Sequence, residues 1–227
     1  SAVLARKHEN VHLHTHLCET RDEEAYCVRQ YGQRPVDFAE SVGWIGPDVW
    51  FAHAIYMAHE EFERLGGRRT GVAHCPTSNM RLGSGIAPVL GQRDAGMRVG
   101  LGVDGSASND SSHMLDETRH AMLLQRVAHG AAAMTAREAL SLATRGGADV
   151  LGRDEIGYLA PGMAADVIGV RVDDLATAGG SVHDPLASLV FCRVPNVDLS
   201  IVNGEVRVRD GRLVGVDVAQ LVNAQER

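Results

Sequence analysis

The sequence predicts an α/β fold, and three observations carry that expectation. Short β-rich runs alternate with helix-like stretches over the first 150 residues. Four successive β-like runs each deliver a His or an Asp at the carboxyl end. After about residue 150 the texture turns rich in Val, Ile and Gly, which marks a smaller β module. Strands alternating with helices imply parallel strands joined by right-handed crossovers.

The elements follow in order. Candidate strands are Asn10 to His16, Val49 to Ala54, Gly71 to Cys75 and Met97 to Asp104. Between them lie helix-like stretches at Arg21 to Tyr31 with Val36 to Val42, then Met57 to Leu65, then Ala87 to Ala95. A further helix, Ser112 to Ala128, follows the fourth strand. Thr135 with Glu138 three residues on has the pattern of a capping box, which starts another helix. Beyond it, Asp154 to Val172 and Val197 to Val214 read as β, with tight turns at Asn203-Gly204 and Asp210-Gly211. A polar helix near Asp217 to Gln225 closes the chain.

Composition narrows the classes. A chain of 227 residues with 44% hydrophobic content can bury a full core. The formal charge of −7 leaves no general basic surface for nucleic acid. The most apolar window, Val49 to Ala58, is short and interrupted by His53, so no segment is expected to span a membrane. The chain opens on Ser1, and no charged start followed by an apolar stretch reads as a signal peptide. Cys18, Cys27, Cys75 and Cys192 form no CxxC pair, which argues against a disulfide framework or zinc knot and points to a reducing cytoplasm.

The strand ends carry the chemistry. Val11-His12-Leu13-His14-Thr15-His16 alternates, so period two places the three His on one face. The second run ends Phe51-Ala52-His53, the third Val72-Ala73-His74, the fourth Gly102-Val103-Asp104. One His at one strand end is most often a structural residue, and Asp104-Gly105 alone reads as a turn. Recurrence at the same end of four strands points instead to an active-site rim. Imidazole and carboxylate also suit zinc, iron and similar divalent metals. His8, His59, His113, His120, His129 and His183 are expected at the surface.

These residues resemble a known family. His-Leu-Cys-Glu at 16 to 19, Ala-His at 52 to 53, His-Cys-Pro-Thr-Ser-Asn at 74 to 79 and Gly-Val-Asp at 102 to 104 are similar to the amidohydrolase superfamily, in its deaminase and triazine-hydrolase branch. Leu-Ala-Pro-Gly-Met-Ala-Ala-Asp (159 to 166), Val-Asn-Gly-Glu-Val (202 to 206) and Asp-Gly-Arg-Leu-Val (210 to 214) resemble that family's small β-sandwich. The resemblance implies the C-terminal half of a (β/α)8 TIM-like barrel over residues 1–152. Residues 153–227 would be the C-terminal part of the β-sandwich domain plus a terminal helix.

The same resemblance implies a division of labour. His16 and Asp104 would ligate one divalent metal, zinc in first place and iron as the alternative, which generates hydroxide from water at neutral pH. Asp104 would also take the proton from that water, and His53 would orient or polarise it. Glu19 would carry a proton to the ring nitrogen as the adjacent carbon is attacked. Asn79, Arg81, Ser106 and Asn109 are the candidate substrate contacts, with polar rim residues as the alternative reading of all four. The implied reaction is hydrolytic deamination of 8-oxoguanine or a related purine, pyrimidine or triazine, in a cytoplasmic homodimer without nucleic-acid or membrane partners.

One departure stands out. The family's first strand carries a His-x-His pair, whereas the pairs here belong to the run assigned as the fifth strand. Reading His14-Thr15-His16 as the first-strand pair is rejected, because Glu19 follows His16 at the fifth-strand offset and the later motifs arrive as strands six to eight. The missing ligands are expected in an N-terminal half outside this sequence. Two other readings stand beside the deaminase. One is a cyclic-amide hydrolase, for which Lys7, the only lysine, is badly placed as a metal bridge. The other is an inactive half-enzyme, since this segment alone is expected neither to fold stably nor to turn over substrate.

Overall fold

In the computed structural model, which describes residues 1–225, four strands form one wholly parallel sheet in the order β1-β2-β3-β4. These are β1 (Leu13–Leu17), β2 (Val49–His53), β3 (Gly71–His74) and β4 (Arg98–Leu101). Register pairs Thr15 with Phe51, Phe51 with Val72 and Val72 with Val99, so these side chains share one face. Phe51, Val49 and Val72 there are fully buried. Such burial is worth ~1.5–3 kcal/mol per side chain. The opposite face carries His14, His16, Trp50 and Ala52, and both histidines are exposed.

The helices of this unit, α1 (Ala2–Ala5), α2 (Arg21–Tyr31), α3 (Pro35–Ser41), α4 (His59–Gly67), α5 (Pro76–Leu82), α6 (Val89–Asp94), α7 (Met114–His129), α8 (Ala136–Ser141) and α9 (Gly147–Leu151), alternate with the strands after α1 as an α/β chain requires. Thr20 caps α2 by accepting from the Glu23 amide at 3.2 Å. The expected capping box opens α8, with Thr135 and Glu138 bonding each other's backbone amides. A π-helical turn, Leu142–Gly146, joins α8 to α9 and packs on β4. The contact is close: a Cβ at Gly100 would lie 2.9 Å from the Gly147 Cα. The buried Arg98 guanidinium fastens this face by donating to the carbonyls of Arg69, Asp149, Val150 and Val49.

Several boundaries differ from expectation, each for a local reason. β1 starts at Leu13 because Asn10 adopts a left-handed conformation (φ 60°) that interrupts the extended run. β4 ends at Leu101, and Asp104 follows it at φ 62°. Helix α5 was not foreseen, yet Pro76 at its first turn and Gly83 in the left-handed conformation after its end are ordinary start and stop signals. His113 and His120 are half-buried rather than at the surface: His113 caps α7, and His120 meets the Thr77 hydroxyl at 2.8 Å.

Compact units comprise Ser1–Gly157 and the residues from Tyr158 onward. The second holds a four-stranded antiparallel sheet of β5 (Val167–Gly169), β6 (Leu199–Val202), β7 (Glu205–Arg209) and β8 (Arg212–Leu213). Its turns at Asn203-Gly204 and Asp210-Gly211 hold all four residues at positive φ, as tight hairpins of this twist demand. The stretch from Asp154 forms a strand only at Val167–Gly169, because Gly157, Pro161 and Gly162 turn the chain before it. Helices α10 (Gly180–His183), α11 (Pro185–Phe191) and α12 (Val218–Gln225) complete this unit.

Candidate metal centre

Alternation along a strand cannot by itself bring His16, His53 and Asp104 together, because His53 is in register with Leu17 on the core side of the sheet. Backbone conformation redirects the later two. His53 lies at φ 69° and Asp104 at φ 62°, both in the left-handed region that non-glycine residues seldom adopt. The result is a cluster in which one ligand atom from each of His16, His53 and Asp104 falls within 4.8 Å of the others.

His16 Nε2 lies 3.2 Å from Asp104 Oδ1. His53 Nε2 stands 3.8 Å from both Glu19 Oε2 and Asp104 Oδ2. That nitrogen is buried and has no hydrogen-bond partner among the described residues. Imidazole and carboxylate in this arrangement fit a divalent cation, and the unpartnered His53 Nε2 faces the place where the cation or its water would sit.

Each member is held from behind. Ser78 and Ser108 donate their hydroxyls to Asp104 Oδ2 at 2.6 and 2.8 Å. Burial pushes the Asp104 carboxyl up, but the bonds from Ser78, Ser108 and His16 outweigh it and hold the group well below the usual carboxylate range. His53 Nδ1 bonds Asn79 Oδ1 at 2.7 Å. Glu19 receives the Ser84 hydroxyl at 3.3 Å, while Glu23 accepts the backbone amides of Cys18 and Glu19 at 3.0 and 2.8 Å. Cys75 nearby is no nucleophile at neutral pH, since burial pushes its thiol up to about 12.

The four expected substrate contacts divide. Asn79 and Asn109 are fully buried, with side-chain bonds to protein groups. Arg81 pairs with Asp110, and Ser106 is exposed on the loop after β4. Sequence reasoning missed Ser78, Ser84, Ser108, Glu23 and Glu117. Ser78 lies inside the motif at 74 to 79 and Ser108 between the expected contacts Ser106 and Asn109, so their spacing from Asn79 and Asp104 was a usable signal. Glu23 and Glu117 look like ordinary acidic residues of a first helical turn.

Comparison with known proteins gives the chain its family. The amidohydrolase family matches residues 1–207, and the chain belongs to that family. It is 50% identical to 8-oxoguanine deaminase of Pseudomonas aeruginosa, over 98% of this chain and 49% of that protein. It is 40% identical to hydroxydechloroatrazine ethylaminohydrolase of a Pseudomonas species, over 100% of this chain and 47% of the relative. Among solved structures, atrazine chlorohydrolase of Arthrobacter aurescens complexed with zinc superposes with a TM-score of 0.93 at 36% identity, over 99% of this chain and 50% of that one. An adenosine deaminase from Xanthomonas campestris with bound zinc gives 0.93 at 33% identity, over 99% and 51%. The chain thus spans about half the length of the relatives it matches, and its fold is of their α/β TIM-barrel type.

Proposed function

We propose that the protein carrying this chain is a zinc-dependent aminohydrolase that deaminates an oxopurine such as 8-oxoguanine or a related aminated nitrogen heterocycle. The observation that carries the reading is the cluster of His16, His53 and Asp104 within 4.8 Å, with Glu19 alongside. The identity of 50% to an 8-oxoguanine deaminase favours the oxopurine over a pyrimidine or triazine.

In this reading β1 to β4 are the fifth to eighth strands of an eight-stranded barrel, and the antiparallel sheet belongs to a small β-sandwich. His16 and Asp104 Oδ1 would hold the zinc. The chemistry such an ion would supply is a lowered pKa for its water, from 15.7 towards ~7. Asp104 accepts the proton of the attacking water, and His53 Nε2 orients that water. Glu19 places a proton on the ring nitrogen beside the attacked carbon. A carbon–oxygen bond forms, the exocyclic carbon–nitrogen bond breaks, and the amine takes the water proton held on Asp104 and leaves as ammonia.

The test is a panel of guanine-like, cytosine-like and triazine substrates, assayed for ammonia with the intact protein. Ammonia release with preference for an oxopurine is expected. Ring opening without ammonia would overturn the deaminase reading in favour of cyclic-amide hydrolysis.

A further inference from the structure

Glu117 lies in the first turn of α7, fully buried, and takes no part in the cluster. Its two oxygens nevertheless join the two segments that shape the Asp104 site, the first turn of α5 and the loop after β4. Oε2 accepts the backbone amide of Thr77 at 3.1 Å, in the segment after β3. Oε1 accepts the Asn109 side-chain amide at 2.7 Å, in the segment after β4. The chain neighbours of those two partners are Ser78 and Ser108, the hydroxyls that both bond Asp104 Oδ2.

The orientation of Asn109 is fixed by its surroundings. Its Nδ2 also donates to the Val103 carbonyl at 2.8 Å, while its Oδ1 accepts the Ser112 amide at 3.1 Å and the Ser111 hydroxyl at 3.4 Å. Turning the amide over would set its oxygen against a carbonyl and a carboxylate, so both donors are committed. Asn109 therefore has no donor or acceptor to spare for a ligand.

We infer that Glu117 is a positioning residue for the metal ligand: it clamps the first turn of α5 to the loop after β4 so that Ser78 and Ser108 together occupy Asp104 Oδ2 and leave Oδ1 to face the cation. This rests on the reading that Asp104 ligates zinc. It also recasts Asn109 as a link in the clamp rather than a substrate contact.

Glu117→Gln tests the clamp, because a glutamine keeps the shape but has one accepting oxygen. Its amide nitrogen must then oppose either the Thr77 amide or the Asn109 amide, donor against donor. Zinc affinity of the intact protein is measured by competition with a chromophoric chelator, without substrate, beside kcat and KM. Glu117→Gln and Asn109→Ala are each expected to lower zinc affinity and kcat about 10- to 100-fold with KM little changed. Gln125→Met, which removes a buried amide from the same helix away from the site, should lose stability but keep wild-type zinc affinity. Wild-type zinc affinity and kcat in Glu117→Gln would overturn the inference while leaving the metal reading intact. Should Glu117→Gln fail to fold, Asn109→Ala decides: a raised KM at unchanged zinc affinity would make Asn109 a substrate contact and overturn the clamp. If Asp104→Asn left zinc affinity unchanged, the metal reading and the inference would fall together.

Discussion

Asn79 and His53 meet at 2.7 Å inside a fully buried pair, the amide oxygen against the ring Nδ1. An amide oxygen only accepts, so Nδ1 carries the hydrogen, and Nε2 is the ring atom that faces Glu19 and Asp104. The expected outcome for Asn79→Leu is a mixture of ring tautomers and a kcat lowered about 10-fold or more. Asn79→Asp still accepts from Nδ1 and should restore the single tautomer. The check is the pair of His53 15N shifts in metal-free protein, at a pH where the ring is neutral, assigned by their loss in His53→Gln. A wild-type ring protonated on Nε2 instead would show the amide turned over.

Glu19 and His16 should separate chemistry from binding. Glu19→Gln keeps the side-chain shape and can still accept the Ser84 hydroxyl, but it cannot carry a proton. It should bind zinc as wild type does and lose about 10²- to 10⁴-fold in kcat. His16→Ala removes an imidazole from the cluster and should lose the metal. Metal content after gel filtration, beside turnover, distinguishes the two, and full activity in Glu19→Gln would remove its role as proton carrier.

Strand and helix periodicity made the architecture legible, because burial imposes it over several residues at once. Val49, Phe51 and Val72 line one face, as alternation requires, and the Asn-Gly and Asp-Gly turns fall where the dipeptides stand. The candidate centre was legible only as residue types at strand ends. What alternation could not show is the left-handed backbone at His53 and Asp104, which breaks period two and turns those side chains to meet His16. Nor could it show the supporting shell, since Glu23 and Glu117 act through backbone amides brought near by the fold. Asn79 and Asn109 illustrate the limit, as polar residues beside a motif look alike whether they face a ligand or brace a loop.

Arg98 should be a stability residue remote from the chemistry. Its buried guanidinium donates to four backbone carbonyls across β2, α9 and the segment before β3, and burial pulls its pKa below the ordinary arginine value. Arg98→Met would leave those carbonyls without that donor, at about 1–3 kcal/mol for each one that finds no other partner. Arg98→Lys, with a compact ammonium in place of the planar fork, should recover part of the loss. The urea midpoint of the intact protein measures both, and a midpoint unchanged in Arg98→Met would mean that the carbonyls find other partners.

His74 should make the fold sensitive to acid. Both of its ring nitrogens are buried without a hydrogen-bond partner among the described residues, and burial, aided by the nearby His53, lowers its pKa to about 3. In the unfolded chain the same ring titrates near ~6.5. Between these values the unfolded state binds the extra proton, so the stability from a neutral His74 is complete above the unfolded pKa. It is lost as pH falls from about 6.5 towards 3, at about 1.4 kcal/mol per unit from this one group. His74→Leu removes the titrating ring at similar bulk. Urea midpoints measured from pH 7.5 down to 5 should therefore fall more steeply in the wild type than in His74→Leu. Parallel curves for the two proteins would show that His74 is not what acid attacks.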